Sequence, residues 1–209
     1  MSERSPASSA FEDLFKFNPE PQLRLTLAYA TAPNYEARFE ALEKLIDKCY
    51  RTLVDGRAEN REESEDQLSQ RIVDMLKFAS VNAEHDTKVG GHCDIIVRGP
   101  EDFLWIGEAK VHKSYQWLVD GFLQLSRRYA TGLKGRNRGE IVIYHREGKS
   151  RLVLEKWRQI IDKEFSDVTV THEISDGELC FRTSHICPNS GLTFHVRHCI
   201  IPLMHKPVK

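Results

Sequence analysis

The sequence predicts an α/β domain with a mixed sheet flanked by helices. Apolar residues recur at helical spacing in three long segments, near residues 35–54, 64–80 and 114–133. Short segments of strand character lie between and after them. One of these, GEIVIYHR at 139–146, is continuously apolar, which marks a strand covered on both faces. The central order is therefore helix, strand, strand, strand, helix, strand (αβββαβ), with helical residues in front and a helix plus short β-strands behind.

The chain has 209 residues and a formal net charge of -1, with 40% hydrophobic and 29% charged residues. That length suits one sizeable domain. Bulk charge announces no nucleic-acid partner, so any basic surface must be local. No run approaches the roughly 18 apolar residues of a membrane span. The N-terminal MSERSPASSAFEDLF lacks the apolar stretch of a signal peptide, so the expected setting is cytoplasmic with no membrane. Five cysteines, an odd number with no CxxC, are expected as free thiols. His185, Cys187, His195, His198 and Cys199 crowd the C-terminus, and zinc is the sharper alternative there, although their spacing fits no common finger or ribbon.

Residues 1–10 are expected to be disordered and 11–60 to form a helical extension, with the core at 61–147 and the remainder, 148–209, completing the same domain. Phe39, Leu42, Leu45, Ile46, Cys49, Tyr50 and Leu53 follow helical spacing up to Gly56. RAENREESED reads as a charged connection. A second helix starts at Ser64, with Gln67 completing a capping box, and buries Leu68, Ile72, Val73 and Leu76. ASVNAEHDTKV, HCDIIVR and FLWIGEAKV are strands, with Gly90-Gly91 and Gly99-Pro100 as punctuation. SYQWLVDGFLQLSRRYATGL is a helix with Trp117, Leu118, Phe122, Leu125 and Tyr129 apolar, and LVLEKWRQIIDKEF is another.

The second and third strands carry the chemistry. A hairpin loop at 99–103 sets Arg98 opposite Leu104. Four further steps along each strand set Asp94 opposite Glu108. Residues so paired hold their Cβ atoms about 4.5–5.5 Å apart on one face. Two carboxylates that close repel unless a cation lies between them. Lys110 shares their face by the two-residue strand period. Asp, Glu and Lys emerging together from apolar strands point to a divalent-cation site: hard cations take carboxylate oxygens, water and substrate phosphates.

The motif Asp94-(x13)-Glu108-Ala109-Lys110, in the setting GGHCDIIV…LWIGEAKV, resembles the PD-(D/E)xK restriction-endonuclease-like superfamily over residues 62–146. Cys93 stands where the proline that names the motif would be. The resemblance implies the restriction-endonuclease-like fold and a phosphodiesterase dependent on Mg²⁺ or Mn²⁺ that cuts DNA more readily than RNA, with defence against foreign DNA as a setting. It implies Asp94, Glu108 and the Ala109 carbonyl as metal ligands and Lys110 as catalytic. Glu65, at the helix start, is the candidate for the further acidic residue that many members carry; Glu62, Glu63 and Asp66 compete with it. The exonuclease-like branch has Gln-x-x-x-Tyr on the following helix. Here Gln124 and Tyr129 stand one residue further apart, and Arg128 holds the tyrosine's position.

Nucleic acid, DNA first, is the expected partner. Gln124 and Arg128 are helical neighbours able to touch phosphate together. Arg127, Arg128, Lys134, Arg136 and Arg138 form a local basic patch at the end of that helix and in the Gly-containing loop after it, which is expected beside the active edge of the sheet. Lys113 and His112 lie just past the motif, and His92 shares Asp94's face by parity. No target-reading module is recognisable, so specificity or activation is expected from self-assembly as a homo-oligomer or from a protein partner. A nuclease-fold subunit that binds without cutting is the competing expectation.

Overall fold

A computed structural model describes residues 21–206; the expectation for residues 1–10 lies outside them. The helices are α1 (Pro21–Ala30), α2 (Tyr35–Asp55), the single turn α3 (Arg57–Asn60), α4 (Glu65–Phe78), α5 (Tyr115–Leu123) and α6 (Ser150–Glu164). A π-helical segment, Gln124–Tyr129, continues α5. Among the described residues, β1 (Asn82–Lys88), β2 (His92–Arg98), β3 (Leu104–Val111), β4 (Arg138–His145), β5 (Val168–His172), β6 (Cys180–Ile186) and β7 (Thr193–Pro202) form one sheet. Its order is β1-β2-β3-β4-β7-β6-β5. The β3–β4 and β4–β7 pairings are parallel and the rest antiparallel, so the protein is α/β with a mixed sheet flanked by helices.

The order helix, strand, strand, strand, helix, strand runs from Glu65 to His145. The hairpin register is the one the five-residue loop demands: Arg98 pairs Leu104 and Ile95 pairs Gly107. Glu101 and Asp102 adopt positive φ within that turn. The capping box also forms. Ser64 Oγ accepts from the Gln67 N–H at 3.2 Å, and Gln67 Oε1 accepts from the Ser64 N–H at 2.7 Å.

Each sheet face carries its own apolar cluster. On one, α2 and α4 bury Phe39, Leu42, Ile46, Leu68 and Ile72 against Ile95, Val97, Trp105, Ala109, Val142 and Tyr144. The helix at 35–54 thus packs into the sheet's core. On the other, α5, the π segment and α6 bury Leu118, Phe122, Leu125 and Trp157 against Cys93, Ile96, Ile106, Ile141 and Ile143. β4 is buried along nearly its whole length, which explains its unbroken apolar run. No described helix is long and apolar enough to cross a membrane.

The charged connection is more ordered than its composition suggests. It contains α3, and Asn60 donates from a buried position to the Leu53 carbonyl at 2.7 Å. Arg71 forks onto the Glu63 carboxylate, and the Arg146 guanidinium donates to the Glu63 carbonyl. These contacts tie the start of α4 to the chain just beyond β4.

Among the described residues the C-terminal histidines and cysteines form no metal-ligating group of three, which corrects the zinc alternative, although His185 and His198 both pack on Phe122. His198 is fully buried, stacked on Phe181 at 4.4 Å and bonded to Thr183 and to the Trp157 indole N–H. Burial, with His185 close by, holds its pKa down to about 3. Cys187 donates its thiol to the Ala130 carbonyl, while Cys199 belongs to the core of the opposite face. Strand alternation sends His198 and Cys199 to opposite sides of the sheet, so the cysteine does not join the two histidines.

Candidate active site

The paired ladder of β2 and β3 ends at Ile95 and Gly107. Beyond it the Asp94 side chain takes over: Oδ2 accepts from the Ala109 N–H at 2.7 Å. Glu65, at the first turn of α4, reaches the end of β3, and its Oε2 accepts from the Val111 N–H at 2.6 Å. The helix cap and the Glu63 anchor hold it there. Glu108 and Lys110 project from β3 on the side covered by α5.

The three carboxylates and the Ala109 carbonyl converge on the Lys110 ammonium. Lys110 Nζ lies 2.6 Å from Glu108 Oε1, 2.9 Å from the Ala109 carbonyl, 3.4 Å from Glu65 Oε1 and 3.7 Å from Asp94 Oδ2. Glu108 and Lys110 are buried, and Asp94 and Glu65 keep about a fifth of their side chains open (22% and 24%). Each group that the residue pattern marks as a cation ligand, Asp94, Glu108 and the Ala109 carbonyl, thus turns one oxygen toward the ammonium. The second Glu108 oxygen, Oε2, is buried without a hydrogen-bond partner.

Electrostatics follow from the imbalance: one ammonium faces three carboxylates, leaving two negative charges uncompensated in a low-dielectric site. Burial, and then Asp94, push the Glu108 pKa up to about 7 against the pull of Lys110. Burial also raises Asp94, opposed by Lys110 and the Ala109 N–H. Burial alone would lower Lys110, but Glu108 and Asp94 outweigh it and its pKa rises.

This predicts a pH signature. The folded state binds the Glu108 proton more tightly than the unfolded chain, so this group's contribution falls as pH rises from about 4.5 to about 7 and is flat outside that window. In EDTA, the stability difference between wild type and Glu108→Gln should shift by about 1–3 kcal/mol against the wild type across it. Mn²⁺ or Mg²⁺ should shrink the shift. Urea unfolding at the two ends of the window measures it, and a difference independent of pH would contradict the reading.

Among the described residues no group of three or more His, Cys, Asp or Glu side chains is arranged as a metal site. The position among the carboxylates is held by the ammonium. The donor set nevertheless suits a hard divalent cation: oxygens only, three carboxyl groups against one ammonium, and a buried Glu108 oxygen with no donor.

Sequence reasoning missed several neighbours. Gly121 faces the site from α5; a Cβ there would lie 3.0 Å from Lys110 Cγ and 3.6 Å from Glu108 Cγ. Its absence lets the helix rest on the lysine stem. Gly121→Ala should therefore displace the ammonium and, were the cluster catalytic, lower its rate about ten- to a hundredfold. Its cost in melting temperature should be small, because alanine's helix propensity offsets the crowding. An unchanged environment of the Lys110 ammonium in the variant would show that its position is not constrained from α5. Trp117, also on α5, sets its indole centroid 5.5 Å from Lys110 Nζ. His85 on β1 is close enough for its charge to lower the Asp94 pKa, and its Nε2 is buried without a partner. No spacing rule connects these residues to the motif.

The candidate phosphate contacts divide. A π turn spans one residue more than an α turn, so Gln124 and Tyr129 stand as residues four apart would in an α-helix. The apparent misspacing is absorbed by the backbone, and Arg128 does not replace Tyr129. The Tyr129 hydroxyl donates to the His92 carbonyl at 2.6 Å, and the Arg128 carbonyl lies against Gly90, so the segment sits on the β1–β2 turn. Lys113 is exposed beside Trp117, 5.8 Å from the indole centroid. Lys134 and Arg136, by contrast, do not adjoin the carboxylates. Because β4 runs parallel to β3, the loop before it lies at the start of β3, where Leu104 N–H donates to the Gly135 carbonyl and Arg136 pairs with Asp102. Four residues at about 3.3 Å each separate Leu104 from Glu108, so the patch lies on the order of 13 Å away. Lys134 faces the Tyr35 ring and Arg138 the Phe39 ring. The His92 ring pairs with Asp86, and the His112 ring packs against Tyr115 and His145.

No family model, no curated protein and no solved structure matches this chain.

Proposed function

We propose that the protein is a divalent-cation-dependent nuclease, acting on DNA in preference to RNA, with a restriction-endonuclease-like core. The observation that carries this is the convergence of Glu65, Asp94, Glu108 and the Ala109 carbonyl on one point where β2 and β3 part, with a buried Glu108 oxygen left bare. The resemblance of the Asp94…Glu108-Ala109-Lys110 motif to the PD-(D/E)xK superfamily supports the same reading.

Asp94, Glu108 and the Ala109 carbonyl would hold Mg²⁺ or Mn²⁺. Such an ion polarises a phosphate and lowers the pKa of bound water. Lys110, released from its carboxylate contacts, carries a fixed positive charge to the phosphate as negative charge builds there. Glu65 accepts from the Val111 N–H with one oxygen and turns the other toward the site, where it can orient water. Lys113, Gln124 and Arg128 bind the phosphodiester backbone.

The second reading, a nuclease-fold subunit that binds without cutting, draws on the ammonium, which satisfies the carboxylates with no cation. Incubation with plasmid, single-stranded DNA and RNA in Mg²⁺ or Mn²⁺ separates the two. Cleavage lost in Asp94→Ala supports the nuclease. Cleavage surviving that change would place the site elsewhere, and no cleavage of any substrate supports the binding subunit.

A further inference from the structure

Trp117 is out of place for a helix residue of an α/β domain. Of the chain's tryptophans, Trp105 and Trp157 are fully buried, while Trp117 is 39% exposed. An indole carries one of the largest apolar surfaces among side chains, and leaving it open at a site that binds charge forfeits that burial. Its surroundings are specific. Lys110 Nζ and Lys113 Nζ lie 5.5 Å and 5.8 Å from its ring centroid. The Ser114 hydroxyl caps the helix by accepting from the Trp117 N–H at 3.3 Å, which fixes where the side chain leaves the backbone.

The helix face that bears Trp117 is the one turned to the carboxylates. Trp117, Gly121 and Gln124 are spaced i, i+4, i+7 and share that side. Gly121 approaches Lys110 and Glu108. The face thus presents an aromatic plane at one end with the Lys110 and Lys113 ammoniums over its ring, no side chain over the carboxylates at Gly121, and by helical spacing an amide at the other end. This is the make-up of a surface that tracks a nucleic-acid strand: an aromatic face for a base and cations for the flanking phosphates.

We propose that Trp117 is a stacking platform for an unpaired nucleobase, so that the strand reaching the carboxylates is single-stranded or a frayed end. Bases inside a duplex are stacked on both faces, and only an unpaired or terminal base can offer a face to the indole. Deoxyribose and ribose strands share this chemistry. The inference rests on the nuclease reading for its meaning, but its test reads binding alone.

Labelled oligothymidylate and oligouridylate of about 15 nucleotides, and the matching duplexes, are titrated in EDTA by anisotropy, with tryptophan emission followed in parallel. The expected result is tighter binding of a single strand than of its duplex, with quenched emission, since Trp117 is the one exposed indole among the described residues. Trp117→Ala should weaken single-strand binding about 5- to 150-fold, from about 1–3 kcal/mol per stacked base. Trp117→Phe, which keeps a π face, should retain most of it. Whichever sugar binds identifies the polymer. Unchanged affinity in Trp117→Ala, or duplex bound as tightly as single strand, overturns the proposal. Cleavage that persists beside such a result leaves the nuclease reading standing, whereas Trp117-dependent binding without cleavage in Mg²⁺ removes the nuclease reading alone.

Discussion

Replacing Lys110 by methionine should reduce cleavage by about a hundred- to a thousandfold while leaving the fold intact. Methionine keeps an unbranched stem beneath Gly121 and removes only the charge. In the proposed reaction that charge meets the negative charge developing on a phosphate, and removing one such preorganised group costs about 10²–10³ in rate. The same change alters the apo protein. Glu65, Asp94 and Glu108 then face one another with no cation, although Asp94 and Glu65 keep their backbone donors. Lys110→Met should therefore be less stable than wild type in EDTA at neutral pH and gain more from Mn²⁺, as melting curves with and without the ion would read. Lys110→Arg should not rescue the rate, because a planar guanidinium cannot take the place of a compact ammonium set 2.6 Å from Glu108 under a helix in contact with its stem. Wild-type cleavage by Lys110→Met would remove the lysine from the chemistry.

Arg197→Ala should destabilise the protein by about 3–5 kcal/mol, a large share of the roughly 5–15 kcal/mol that holds a domain together. Arg197, from β7, is buried (3% exposed) and bonds Glu140 of β4, which is fully buried, through Nε at 2.9 Å and Nη2 at 3.2 Å. The Tyr50 hydroxyl of α2 donates to the same carboxylate at 2.7 Å, and Asp47 accepts from Arg197 Nη1 at 2.9 Å. Arg182 of β6 reaches Glu43 one turn earlier on α2. Removing the guanidinium leaves the Glu140 charge in the core with only a hydroxyl. Burial already raises the Glu140 pKa against the pull of Arg197, so the variant should take up a proton there instead. The double change Glu140→Leu with Arg197→Met should recover most of the loss, because two apolar side chains of similar volume carry no desolvation penalty. Urea unfolding of the singles and the double closes the cycle. A cost below about 1 kcal/mol for Arg197→Ala would mean that water reaches the pair.

The two predictions concern different ends of one scaffold. At the Lys110 cluster the carboxylates outnumber the cation, an imbalance that favours binding positive charge. At the Arg197 cluster every carboxylate is hydrogen-bonded to a guanidinium, an arrangement that docks α2 onto the sheet.

Much of this was legible in the residues. Loop length set the β2–β3 register from Arg98–Leu104 to Ile95–Gly107, because it is a local property of a hairpin. The expected direct pairing of Asp94 with Glu108 does not form, because the strands part there and the Asp94 carboxylate accepts from the Ala109 N–H instead. Helical spacing placed α2 and α4, and Ser64 with Gln67 marked the start of α4, because capping is satisfied within one turn. What required the tertiary structure was everything dependent on how distant segments meet. The parallel pairing of β3 and β4 carries Lys134 and Arg136 to the far end of the strands. A π turn brings Gln124 and Tyr129 into step, and composition does not announce an extra residue in a helix. Gly121 matters only because α5 lands on Lys110. The sequence by itself determined which residues share a strand face and a helix stripe, since those periods are built into the backbone. Only the tertiary structure decided that Glu65 would close the cluster, that Lys110 would stand at its centre and that Trp117 would remain open beside it. Those outcomes depend on contacts between elements whose spacing along the chain carries no geometric information.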